Sequence, residues 1–125
     1  MALRGVRGAV TVPCDDKESI LHSTADMLRA AIERNGIRVE DIAAILFAVT
    51  QDLTAAFPAE AARKMGLDKV PLLDFVSPGI QGAMNRVIRM MILWNTPVGL
   101  EQIHHVYLGE AARLRPDLSG EGILP

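Results

Sequence analysis

Residues 15–36, DDKESILHSTADMLRAAIERNG, constrain the fold of this chain more than any other stretch, because they read as one long capped helix. Asp15 with Glu18 three residues later resembles a capping box, and Gly36 suits the position just past a helix end, where a left-handed backbone is needed. Leu21, Ala25, Leu28, Ala31 and Ile32 recur at helical spacing and form the apolar stripe. Such a helix must lie against something flat and apolar, and the flanking segments supply it. Residues 2–12 alternate as a strand, with Val6, Val10 and Val12 on one face and Arg7, Ala9 and Thr11 on the other. IAAILFAVT, 42–50, is a continuous apolar run of strand length, which predicts a strand buried on both faces.

Downstream, PAEAARKMG (58–66) reads as a short helix with Pro58 in its first turn and Gly66 past its end. Strands are predicted at 70–76, at 86–95 (RVIRMMILWN) and at 103–108 (IHHVYL), before a short helical tail, GEAARLRPDL, stopped by Pro116. The order β-α-β-α-β-β-β specifies an α/β or α+β domain on a mixed sheet. With 125 residues the chain is read as one domain over 1–118, followed by a C-terminal tail over 119–125 that is read as flexible.

A net charge of −2 argues against a general nucleic-acid binder. The single cysteine, Cys14, excludes an intrachain disulfide and fits a reducing cytoplasm. No secretory signal opens the chain, and no apolar run has the length of a membrane span.

Candidate chemistry rests on arginines. Arg89 shares a strand face with Val87, Met91 and Leu93, so it has an internal ion pair or a bound anion, unless that face is open to solvent. Arg7 lies beside Gly5 and Gly8, whose missing side chains let a backbone or a ligand approach closely, the other reading being a surface arginine on a weak edge strand. Arg63 and Arg115 are solvated on the ordinary reading. Together these separated guanidinium groups suit a small dicarboxylate better than a nucleic acid. His104 and His105 are adjacent on a predicted strand and point to opposite faces, so they do not chelate one metal, and His105 reads as a packing or hydrogen-bonding residue. No serine–histidine–acid set, zinc spacing or phosphate-binding loop is found, so neither a covalent nucleophile, a metal nor another cofactor is expected.

RGVRGAVTV, DLTAAFPAEAAR, VPLL, RVIRMMILWNT and HHVYLGEAARLRPDL, in that order, resemble the monofunctional chorismate mutases of the AroH class, from Leu3 to Leu118. The resemblance implies a homotrimer of pseudo-α/β-barrel subunits with active sites in the clefts between neighbours. It implies the Claisen rearrangement of chorismate to prephenate, on the route to phenylalanine and tyrosine. By resemblance Arg89 is the cation aimed at the breaking ether bond, and Arg7 and Tyr107 hold a substrate carboxylate. Phe57, Arg63 and Leu73 match wall or entrance positions, and Leu114 and Arg115 match a segment that closes over the site. The sequence departs from the family at Ser77, where relatives carry a glutamate that bonds the substrate's ring hydroxyl. Asp74 stands three residues earlier, where relatives carry a small residue, and it is the only acid between Asp68 and Glu101. The expectation is a relocated carboxylate, with Asp74 acting beside Arg89 and Arg7. Glu60 replaces a residue that is basic in some relatives. Two rival readings are a non-catalytic trimeric binding or regulatory module for a small dicarboxylate, which the missing glutamate favours, and an imine deaminase on a similar scaffold, whose motifs are absent.

Overall fold

In a computed structural model, described here for residues 1–117, five strands form one mixed sheet in the order β3-β2-β4-β1-β5. The strands are β1 (Ala2–Thr11), β2 (Ile42–Val49), β3 (Leu72–Val76), β4 (Val87–Thr96) and β5 (Val106–Leu108); the helices are α1 (Lys17–Asn35) and α2 (Pro58–Lys64). β4 pairs antiparallel with β1 and β2, whereas β1/β5 and β2/β3 are parallel. The element order is the expected one. The tail expected over 119–125 lies outside the described residues.

The long helix begins one residue later than its capping pattern suggests. Asp16, not Asp15, is the N-cap, and its carboxylate accepts the Ser19 N–H at 2.7 Å. Asp15 instead reaches across to the loop after β2, accepting N–H bonds from Thr54 (2.9 Å) and Ala55 (3.0 Å). Those bonds, Thr54 first, hold its carboxyl below the usual range. Gly36 closes the other end with φ of 64°, as expected.

The buried stripe of α1 is Ile20, Ser23, Thr24, Met27, Leu28 and Ala31, rotated from the predicted one. Thr24 hides there because its hydroxyl donates back to the Ile20 carbonyl at 2.7 Å, so a residue that reads as polar leaves no unsatisfied group.

Both helices cover one face of the sheet. Under them lies the main core, with Val6, Ile45, Phe47, Ile88, Ile92 and Val106 fully buried. The opposite face of a single chain is open, so β2 is not buried on both sides: Leu46 and Ala48 remain half-buried. A continuous apolar run could not reveal that two helices suffice for one face only. Phe47, with no exposed surface, fixes β2 to this core. Phe47→Ala is expected to cost about 3–5 kcal/mol of unfolding free energy, measurable by urea denaturation at fixed protein concentration.

The last segment returns across the open face. Its predicted helix is a 3-10 turn, Gly109–Arg113, entered through Gly109 at φ of 61°. A Cβ there would stand 2.6 Å from the Thr11 hydroxyl, which takes the Glu110 N–H. Ala111 and Leu114 then pack on Ala9, Val87 and Tyr107.

Candidate active site

Register decides which side chains meet. Directly paired residues share a face, so one row runs Phe75–Ala48–Arg89–Ala9–Tyr107 across all five strands. Arg89 thus has alanine on both sides, Ala48 on β2 and Ala9 on β1. The two methyl groups make a trough over which a long cationic side chain extends. The parallel row, Leu73–Leu46–Met91–Arg7, lies beside it.

These rows floor a cavity of about 450 Å³, lined among others by Arg7, Arg89, Tyr107, Leu114 and Arg115. Five of the residues singled out in the sequence therefore meet in one place. Arg115 is held by Asp117 through bonds of 2.9 and 3.1 Å, whereas no described carboxylate lies within 4 Å of Arg7 or Arg89. The internal ion pair that would have made Arg89 structural is absent among the described residues. Two guanidinium groups, neither with a described carboxylate within 4 Å, thus face one partly apolar cavity, and planar guanidinium forks are suited to gripping carboxylates.

The start of β4 is locked to hold Arg89. Arg86 adopts φ of 50°, unusual for a side-chain-bearing residue. Its N–H is taken by both carboxylate oxygens of Asp52, at 3.0 and 3.2 Å, and its carbonyl accepts the Val12 N–H. Asp52 opens the DLTAAFPAEAAR stretch, but sequence reasoning gave it no role. It missed Phe75 as well, although counting by two from Leu73 puts Phe75 on the cavity side.

The space left by the glycines beside Arg7 is filled by the chain's own side chains, although Gly8 also lines the cavity. A Cβ at Gly8 would lie 2.6 Å from Met90 and 3.2 Å from Met27, and one at Gly5 would lie 2.6 Å from Met91. Their missing side chains make room for the chain's own methionines. The histidine pair corrects in a similar way, because the fifth strand begins only at Val106. The His104 N–H and carbonyl are both bonded by the Asn35 side chain at 2.8 Å, outside any ladder.

Asp74 is not brought to Arg89 within one chain. Its row is Asp74–Phe47–Met90–Gly8–Val106, on the helix-covered face. There its carboxylate accepts the Ala59 N–H at 3.2 Å, at the first turn of α2. It lines a second cavity of about 410 Å³ with Phe57, Lys17 and Glu60, and Phe75 borders both cavities. Burial pushes the Asp74 carboxyl up, against the Ala59 N–H and the Arg63 charge, which pull it down. Glu60 is bound by Lys17 at 3.2 Å and Lys64 at 3.3 Å, so its charge at that entrance is compensated. Leu73, Arg63 and Ser77 line neither cavity. The Ser77 hydroxyl is buried without a described partner.

The family model for chorismate mutase type I matches residues 3–118. The chain is 50% identical over 117 residues to Chorismate mutase AroH of Thermus thermophilus, covering 93% of this chain and 96% of that one. It is 42% identical over 120 residues to Chorismate mutase AroH of Bacillus subtilis (strain 168), covering 95% and 94%. A solved chorismate mutase from Clostridium thermocellum superposes with a TM-score of 0.87 at 38% identity, covering 88% of this chain and 98% of that one.

Proposed function

The chain belongs to the chorismate mutase type I family, and on that premise we propose how it performs the rearrangement of chorismate to prephenate and where its complete site lies. One C–O bond breaks as a C–C bond forms within a single molecule, so the reaction asks for no nucleophile and no proton transfer. What it asks for is a compact, chair-like conformer of a dianion and a cation where negative charge grows on the ether oxygen. Arg89, raised over the alanine trough with no described carboxylate beside it, is that cation, and this observation carries the reading. Arg7 and Tyr107 take a substrate carboxylate from the same cavity, and Leu114 and Arg115 close it. The product feeds phenylalanine and tyrosine synthesis.

The second half of the site comes from another copy of the chain. Asp74, Phe57 and Arg63 lie away from Arg89, and the surface around them is unusually apolar: Phe57, Leu73, Phe75, Val76 and Ile80 are each about half exposed or more. A monomer rarely leaves so much clustered apolar surface in water. A homotrimer that sets one chain's Asp74 cavity against its neighbour's Arg89 cavity covers this surface and unites the two sets. Ser77, Leu73 and Arg63 become part of the wall only in that assembly. No helix among the described residues is long and apolar enough to cross a membrane. The lone cysteine and the slight negative charge favour a cytoplasmic enzyme acting on a small molecule, without nucleic acid.

Loss of chorismate absorbance on adding the protein tests the activity. Binding of a bicyclic transition-state-like diacid without turnover would leave only the ligand-binding module. Complementation tests the shared site. Arg89→Ala and Asp74→Asn chains, each nearly inactive alone, are expected to regain activity when co-expressed, because about a quarter of randomly assorted interfaces then carry both native residues. No recovery from co-purified mixed trimers would place both residues in one chain's site instead.

A further inference from the structure

His105 stands where the row Leu73–Leu46–Met91–Arg7 would meet the fifth strand, two residues before Tyr107, which ends the neighbouring row. β5 has not yet begun at that point. The ladder is nevertheless continued, because the Arg7 N–H donates to the His105 ring nitrogen Nδ1 at 2.9 Å. A side-chain ring replaces the backbone carbonyl that a longer strand would have presented. The backbone just before it is anchored as well. Asn35, in the last turn of α1, bonds the His104 carbonyl and N–H at 2.8 Å each and also the Ala31 carbonyl at 2.9 Å.

We propose that His105 is a positioning residue for Arg7: its neutral ring fixes the Arg7 backbone so that the guanidinium stands ready in the cavity for a substrate carboxylate. The inference rests on the mutase reading for its substrate and goes beyond it in naming the device that aims Arg7. A nitrogen that accepts a hydrogen bond carries no proton, so the contact exists only while His105 is neutral. The surroundings keep it so. Burial first, then the charges of Arg7 on β1 and Arg115 in the C-terminal segment, and last the neighbouring His104, hold it below the ordinary histidine value of 6.5. Asn35, which reaches the segment from α1, adds no charge.

The sign follows. Above the ordinary histidine range the ring is neutral in the folded and unfolded chain alike, and the contact is complete. As pH falls through the lowered folded value the ring takes up a proton, Nδ1 becomes a donor facing the Arg7 N–H, and the contact is lost together with its stabilisation. Michaelis constants for chorismate should therefore rise on the acid side while kcat changes less, because carboxylate holding is shared by the bound substrate and the transition state.

The experiment compares the native chain with His105→Asn, whose amide oxygen takes the place of Nδ1 and does not titrate, and with His105→Leu, which accepts nothing. At about pH 7.5 the leucine variant should raise KM about fivefold with kcat within about twofold, and the asparagine variant should keep a native KM. As pH is taken progressively below the ordinary histidine value of 6.5, the native KM should climb while that of the asparagine variant stays flat. A native KM in the leucine variant, or an acid rise that survives in the asparagine variant, would overturn the proposal. Nitrogen NMR of the native protein decides the case if neither variant folds: an unprotonated Nδ1 near neutral pH is expected, and a protonated one would overturn it. That spectrum also separates the two readings, since absent turnover strikes the mutase assignment while the ring's protonation still tests the contact.

Discussion

Replacing Arg89 with alanine should lower kcat by about 10²–10³-fold while leaving the fold intact, the range seen when one preorganised donor to a developing oxyanion is removed. The structure explains both halves of this expectation. Arg89 is solvent-exposed on the open face, no described carboxylate lies within 4 Å of it, and alanine already flanks it on both strands, so truncation breaks no described ion pair and opens no core cavity. The charge matters more as the ether bond lengthens than in the bound ground state, so kcat falls more than KM rises. Arg89→Lys is the sharper control. It keeps the charge but replaces a planar fork with a flexible point charge, and should recover only part of the rate. Steady-state kinetics with chorismate, paired with a thermal melt, reads both. A kcat within about tenfold of native in the alanine variant would remove Arg89 from the reacting atoms.

The fold was legible in the sequence to the degree that period and punctuation carried it. Gly36, Pro58 and the alternation in β1 and β4 mark their elements without ambiguity, because each rests on local backbone physics. The errors arose where a distant partner overrode the local pattern. Asp15 looks like a cap but is claimed by Thr54 and Ala55, almost forty residues away, and the neighbouring aspartate takes its place. His104 looks like part of a strand until Asn35 occupies its backbone groups. β2 looks doubly buried because a run of apolar residues is silent about what covers each face. Arg7 and Arg89 stand out in the sequence as cations in need of a partner, whereas Tyr107 enters only through the family resemblance, and strand register is what brings all three to one cavity. Asp52, which locks Arg86, and the ring contact from His105 to Arg7 depend on loop geometry that no spacing encodes.

Asp74→Asn should separate activity from stability in the opposite sense to a core mutation. The side chain is half-buried, and burial is the largest influence on its carboxyl, raising it above the ordinary value of 3.8. A carboxylate whose folded value is raised favours folding in its protonated form. Its contribution is therefore complete below the unfolded value and is lost as pH rises through the folded one. At neutral pH the ionised group costs stability, and an asparagine of the same shape removes that cost while its amide oxygen still accepts the Ala59 N–H. The variant should melt at the native temperature or slightly above it. Activity should nevertheless fall by about 10²-fold if Asp74, presented to the neighbouring chain's Arg89 cavity, has taken over the role of the glutamate that Ser77 replaces. Ser77→Ala supplies the comparison, since its hydroxyl has no described partner to lose, and should leave kcat within about threefold of native. A carboxylate retained at a cost to folding is what a functional group looks like in a stability measurement. Equal and small losses in the two variants would mean that the substrate's ring hydroxyl is met by neither residue, and that Asp74 serves only the first turn of α2.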